Sequence, residues 1–279
     1  MQLFPTLVHV SKVKEADLRV PFVLRGYRLS PTVFQSLVSV FQLHTETLNI
    51  WSHLLPLVVF AYYLERGPRD ASGLGPMDTR FYAVHCIGCC VMFTASALYH
   101  CFQSVSQSAH DALLRFDFAG IGVMIACEMY AGIGLGLGCV PAAQRVYLAV
   151  AGCFAMLMLG APFYPSRWRN ACFIGATAWG LAPLVHFFAA TEAADAMRVG
   201  MPFAATLLLY GGGFFFYHTR LPESVAPKSG TFDIFGKSHT VWHLFIASAA
   251  AMMHRGVVQA LESPIQCFPR GESVVACTY

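Results

Sequence analysis

Three histidines carry the most specific chemical signal in the sequence. His239 and His243 are four residues apart, so on a helix they project from one face about one turn apart, as two zinc ligands on a helix do. His100 closes a separate apolar stretch, and its imidazole would complete a three-histidine site with water in the fourth tetrahedral position. Ser96 lies one helical turn deeper than His100 and points the same way. Asp117 follows seventeen positions after His100, where a carboxylate can bond a bound water or orient a ligand. A plainer reading stands beside this one. A single histidine near a membrane surface commonly just hydrogen-bonds or snorkels, and among eleven histidines a pair at this spacing also arises by chance.

The surroundings of these residues are apolar. The chain of 279 residues is 56% hydrophobic and only 12% charged, with a mean hydropathy of +0.55, which leaves too little polar surface for a water-soluble fold of this size. Stretches long enough to cross a hydrocarbon core of ~30 Å recur, and they predict seven spans at roughly 47–64, 81–100, 114–138, 145–162, 172–190, 201–218 and 239–260. Pro56 and Pro183 fall within spans and predict kinks. A short helix lying on the membrane surface is expected over 33–43, from Val33, Phe34, Leu37, Val38 and Phe41 at helical spacing. The organisation expected is a cytoplasmic segment 1–45, a membrane domain 46–260 and a tail 261–279. The cluster Arg25-Gly26-Tyr27-Arg28 suits a headgroup boundary.

Orientation follows from the cations. With the N-terminus inside, the inner segments hold eleven, namely Lys12, Lys14, Arg19, Arg25, Arg28, Arg115, Arg167, Arg169, Arg220, Lys228 and Lys237. The outer segments hold seven, Arg66, Arg69, Arg80, Arg145, Arg198, Arg255 and Arg270. The excess places the N-terminus in the cytoplasm and the C-terminus outside. His100, Asp117 and His239 then all fall at cytoplasmic span ends.

A strongly polar side chain within a span costs about 2.5–3.5 kcal/mol on insertion scales, so each one is a functional candidate. Beyond the residues above these are Glu46, Asn49 and His53, then Glu128, His186 and His254. Glu46 is equally suited to helix capping, His186 and His254 to hydrogen bonding within a bundle, and Glu128 has no evident partner. Cys86, Cys89, Cys90, Cys127, Cys153 and Cys172 lie in apolar runs and read as small hydrophobes. No disulfide framework is expected, and the Cys86, Cys89, Cys90 group reads as packing rather than a metal cluster. Cys277 is placed wrongly for a prenylation box.

Several classes are excluded. No basic run supports a nucleic-acid partner. The only lysines are Lys12, Lys14, Lys228 and Lys237, none mid-span, so a retinal Schiff base has no attachment point. An inward N-terminus and the lack of an Asp-Arg-Tyr triplet after the third span argue against a G-protein-coupled receptor. No apolar region with a cleavage site appears in the first thirty residues, so no cleaved signal peptide is expected.

From about residue 25 to 256 the sequence resembles the progestin and adipoQ receptor (PAQR) family. Gly26-Tyr27-Arg28 precedes His44-Thr45-Glu46-Thr47-Leu48-Asn49-Ile50-Trp51-Ser52-His53. Ser96-x3-His100 with Asp117, Pro183-x2-His186, and Asp233-Ile234-x3-Ser238-His239-x3-His243 follow in the family's order. The resemblance implies an all-α, seven-transmembrane bundle with a cytoplasmic N-terminus. It also implies zinc on His100, His239 and His243, with Asp117 beside the metal-bound water. The expected function is a multi-pass membrane receptor, in the plasma membrane or an endomembrane, with ceramidase-like hydrolysis of a lipid amide. In that reading Asp117 orients water or acts as base and Ser96 stabilises the developing oxyanion. The alternative is a steroid or hormone receptor in which zinc is structural; a third is a proton or ion path through Glu128 and His186. Expected partners are a membrane lipid or steroid ligand and a protein hormone or signalling partner.

Overall fold

The computed structural model describes residues 2–13, 20–68 and 75–268. Lys14, Arg19, Arg69, Arg270, Cys277 and most of the expected tail lie outside the described residues.

The protein is a seven-helix membrane protein. Its long helices are α2 (Thr47–Arg66), α3 (Pro76–Phe102), α4 (Gln107–Gly136), α5 (Pro141–Gly160), the pair α6 (Ser166–Trp179) and α7 (Leu181–Ala190), α9 (Met201–Thr219) and α10 (Ser238–Glu262). Among the described residues, seven stretches built from them are long and apolar enough to span a bilayer. A helix is the natural solution there, because in hydrocarbon every backbone N–H and C=O must find a partner within the segment. The expected spans coincide with these helices, with ends that differ by up to seven residues, at the start of α4. At the fifth span the helix breaks at Gly180, between α6 and α7. Pro183, in the first turn of α7, cannot supply the N–H that would bond the carbonyl of Trp179. By contrast α2 runs on through Pro56 as one helix. A three-residue helix α8 (Ala193–Asp195) and a π-turn over Ala196–Gly200 lead into α9.

Before the first span, α1 (Val33–Val38) starts at a capping box. Gln35 N–H donates to the Thr32 hydroxyl while Thr32 N–H donates to the Gln35 side chain, satisfying two amides that a helix start leaves free. Phe34, Leu37 and Phe41 are exposed. The N-terminal segment also forms a feature that the sequence pattern did not suggest, a two-stranded antiparallel ribbon of β1 (Leu7–His9) and β2 (Arg25–Arg28), pairing Leu7 with Arg28 and Val8 with Tyr27.

The chain clusters into two compact units. The first comprises Met1–Leu57, Phe93–Phe118 and Gly211–Ala247 and contains the ribbon and the three histidines. The second comprises Val58–Met92, Ala119–Tyr210 and Ser248–Tyr279. In the second unit Cys139 and Cys267 form a disulfide across 128 residues, a single bond that the sequence reading, which expected no disulfide framework, did not anticipate. Nothing in the composition pairs these two, because one follows α4 and the other follows α10. Arg198 reinforces the same region, bonding Asp195 at 2.6 Å and the carbonyl of Gln259.

Candidate metal centre

Two helix ends place the three histidines, and buried charges fix each end. The guanidinium of Arg28 donates to the carbonyls of His100 and Cys101, both at 2.7 Å, and to the Ser39 hydroxyl at 3.0 Å. It therefore satisfies carbonyls that the C-terminus of α3 cannot pair internally. This corrects the headgroup reading of the Arg25–Arg28 cluster. Arg25 is exposed, but Tyr27 and Arg28 are buried, with Arg28 only 5% exposed, and the guanidinium locks the helix that carries His100.

The start of α10 is held in the same manner. The Glu223 carboxylate accepts from Ser238 N–H at 2.7 Å and from the Ser238 hydroxyl, an anion at the positive end of the helix dipole. Asp233 accepts from Leu24 N–H at 2.8 Å and Arg25 N–H at 3.0 Å, so the loop before α10 is tied to the ribbon that also delivers Arg28. Gly26, at φ +87, supplies backbone geometry that a side chain would resist.

Between these ends the imidazoles converge. Nε2 of His239 lies 3.3 Å from Nε2 of His100 and 3.2 Å from Nε2 of His243. Donor atoms of all three lie within 4.8 Å of one another. Two nitrogens bound to one tetrahedral zinc at about 2.0–2.1 Å sit about 3.3 Å apart, so the observed edges match that geometry. The residues fit a metal ion in a second respect, since outer bonds fix two ring tautomers. His100 Nδ1 donates to Glu46 Oε2 at 2.7 Å, and His243 Nδ1 has the Ser52 hydroxyl at 3.1 Å and the Asn49 carbonyl at 3.3 Å. With the proton on Nδ1, each Nε2 presents a lone pair inward. The cluster is a buried histidine group able to hold a metal ion; His100 and His243 are each 2% exposed.

Glu46 is the hub of the support. Besides His100 it accepts from Asn49 Nδ2 at 2.7 Å and from Lys237 Nζ at 3.1 Å. Burial alone would raise its pKa, but the Lys237 ammonium and His100 hold the carboxyl well below the usual range. Lys237 also donates to the carbonyl of Thr45, and Thr240 donates to Asn49 Oδ1 at 2.7 Å. The first-span signature thus wraps the start of α10. Sequence reasoning left Glu46 open between a cap and a functional group and counted Lys237 only among the cytoplasmic charges; the one signal available was that Lys237 lies two residues before His239. His53 stacks on His243 with centroids 3.8 Å apart and meets the edge of Phe93. Ser96 is 2% exposed, and its hydroxyl is hydrogen-bonded to the half-buried Asp117 carboxyl.

The remaining intramembrane candidates lie in the second unit. Glu128 does have a partner, the Tyr210 hydroxyl, which donates at 2.5 Å. The pair lines an apolar cavity together with Phe187, Phe203 and Met253, with ≈ 700 Å³ of unfilled space, part of it open to the exterior. His186 meets the Tyr147 hydroxyl at 3.4 Å, and His254 stacks on Tyr63 at 4.3 Å; both act within the bundle.

Comparison with known proteins adds an independent line. The family model described as Haemolysin-III related matches residues 41–254. The mouse protein named "Progestin and adipoQ receptor family member 4" is 31% identical over 253 residues, covering 86% of this chain and 88% of that protein. The Arabidopsis thaliana "Heptahelical transmembrane protein 1" is 29% identical, covering 82% of this chain and 73% of that protein. The Drosophila melanogaster "Adiponectin receptor protein" is 25% identical, covering 85% of this chain but only 55% of that protein. The chain therefore spans about half the length of some relatives that it matches.

Proposed function

Because the chain belongs to the haemolysin-III related family, and its relatives include proteins named as an adiponectin receptor and as a progestin and adipoQ receptor family member, we propose that it is a membrane receptor that holds Zn²⁺ on His100, His239 and His243 and hydrolyses the amide of a ceramide-like lipid. The observation that carries this reading is the pair of Nε2–Nε2 separations of 3.2 and 3.3 Å, which is the spacing across a tetrahedral zinc. Three neutral imidazoles would leave a fourth position open on a bound Zn²⁺, and the chemistry such an ion would supply is a water of pKa about 7 and a polarised carbonyl. Asp117 takes up the proton of the attacking water and returns it to the amide nitrogen as the C–N bond breaks, releasing the fatty acid and the amine, while Ser96 fixes the orientation of that carboxyl and offers a hydroxyl to the developing oxyanion. With the N-terminus in the cytoplasm, the site faces the inner leaflet, where an amphiphile can enter sideways from the bilayer.

A second reading makes zinc structural and leaves the protein a steroid or hormone receptor without turnover. The observation favouring it is the density of the support, with Glu46, Lys237 and Arg28 all buried around the histidines. In that case the ion joins α3 to α10 and a ligand shifts their packing. One experiment separates the two. Purified protein is assayed for metal content and for fatty-acid release from a short-chain ceramide. Release that disappears with His100→Ala supports hydrolysis; a zinc-containing wild type that releases nothing supports the structural role; metal content unchanged in His100→Ala overturns both.

A further inference from the structure

The second unit contains another convergence of metal-binding side chains, away from the family motif. His85 and Cys89 stand four residues apart on α3, so they share a helix face. Glu128 reaches the same point from α4, and donor atoms of the three lie within 4.8 Å of one another. All are buried, with His85 and Cys89 0% and Glu128 6% exposed. Two observations separate this group from ordinary packing. Glu128 Oε1 and His85 Nε2 are buried with no hydrogen-bond partner among the described residues, which is costly in a dry interior. Furthermore, Cys89 Sγ lies 3.9 Å from His85 Nδ1, against about 3.6 Å for a thiolate and an imidazole on one tetrahedral zinc.

We propose that His85, Cys89 and Glu128 form a second cation site that takes a divalent ion of the zinc class within the spanning helices. The donor set of one thiolate, one imidazole and one carboxylate selects a borderline-soft divalent ion over magnesium or calcium. It also balances charge. The Cys89 thiolate and the Glu128 carboxylate together carry the two negative charges that a divalent ion cancels, so the loaded site is neutral in a medium that penalises charge. Loading exchanges one M²⁺ for two protons, one from the thiol and one from the carboxyl, and forms M–S and M–O bonds beside the M–N bond. Tyr210 already donates to the other oxygen of Glu128 at 2.5 Å, as second partners of ligating carboxylates do. Gly88 brings the helices to this distance, since a Cβ there would stand 2.5 Å from Cys127 Cβ. His254, whose ring is 5.5 Å from that of His85 and whose Nδ1 has no hydrogen-bond partner among the described residues, is placed to supply a fourth ligand.

Cobalt is the probe, because a thiolate ligand gives Co²⁺ an intense ligand-to-metal charge-transfer band that a three-histidine site cannot produce. Full-length protein in detergent is stripped of metal and titrated with Co²⁺. The band is expected in the wild type and also in the His100→Ala/His239→Ala/His243→Ala variant. It is expected to vanish in Cys89→Ser, and Glu128→Gln should weaken its cobalt affinity at least tenfold. A wild type without the band overturns the site, as does a band of undiminished intensity in Cys89→Ser. If Cys89→Ser does not fold, Glu128→Gln decides: it keeps every cysteine, and an unchanged titration curve overturns the proposal.

Discussion

Glu46 Oε2 and His100 Nδ1 are 2.7 Å apart, although 54 residues separate them in the chain. That contact makes Glu46 a positioning residue for the metal centre. Glu46→Gln keeps the shape but removes the charge that holds the His100 proton on Nδ1. Metal affinity should fall by about 10–100-fold, measured by competition with a chelator of known affinity. Wild-type affinity in this variant would remove Glu46 from the account.

Asp117 is assigned the proton of the attacking water, not a bond to the ion. Asp117→Asn should therefore keep its metal while losing about 10²–10⁴-fold in ceramide turnover. Metal content and turnover are read on the same preparation. Loss of the metal, or turnover within a factor of two of wild type, contradicts the assignment.

His44 gives the fold a dependence on pH. Its ring is fully buried, accepts from Glu46 N–H at Nδ1 and donates to the Ser39 carbonyl from Nε2, both at 3.0 Å, so it is neutral. Burial, aided by the Arg28 and Lys237 charges and opposed by Glu46, pushes its pKa down to about 3. An unfolded histidine titrates near 6.5, so between these values the unfolded chain binds the extra proton and stability falls as pH falls. The slope from this proton approaches 1.4 kcal/mol per pH unit well below about pH 6.5. Thermal midpoints measured from about pH 7.5 down to about 5 should drop less steeply in His44→Gln than in wild type, whatever the offset at neutral pH. Equal slopes would contradict this.

The Cys139–Cys267 bond tests the orientation. Cytosolic thiols are kept reduced, and an inward N-terminus puts the segment after α4 and the segment after α10 on the opposite face. In sealed vesicles, an impermeant reductant followed by an impermeant maleimide should label this pair only from the face opposite an N-terminal epitope, and Cys139→Ser should make Cys267 reactive without reductant. Labelling from the epitope's own face would reverse the orientation.

The spans were legible because hydrocarbon thickness and backbone pairing leave few other ways to use such apolar stretches, and each expected span meets a helix in the structure. The three histidines were legible as a group because helical spacing and span order put them at one depth. Their support was not. Lys237 meets Glu46 across 191 residues, and no periodicity encodes that pairing. Arg28 followed the composition of an interfacial cluster and turned out to cap α3, because carbonyls at a buried helix end need a donor more than a headgroup does. Tyr210, the partner of Glu128, has no local signal, and neither does the disulfide.

The central claim is that one ion joins His100 to His239 and His243. Zinc per chain, measured on wild type and on the His100→Ala/His239→Ala/His243→Ala variant purified alike, tests it most directly. The account predicts a loss of one equivalent in the variant. Equal zinc in the two proteins, or a wild type with no zinc even after incubation with the metal, would contradict it.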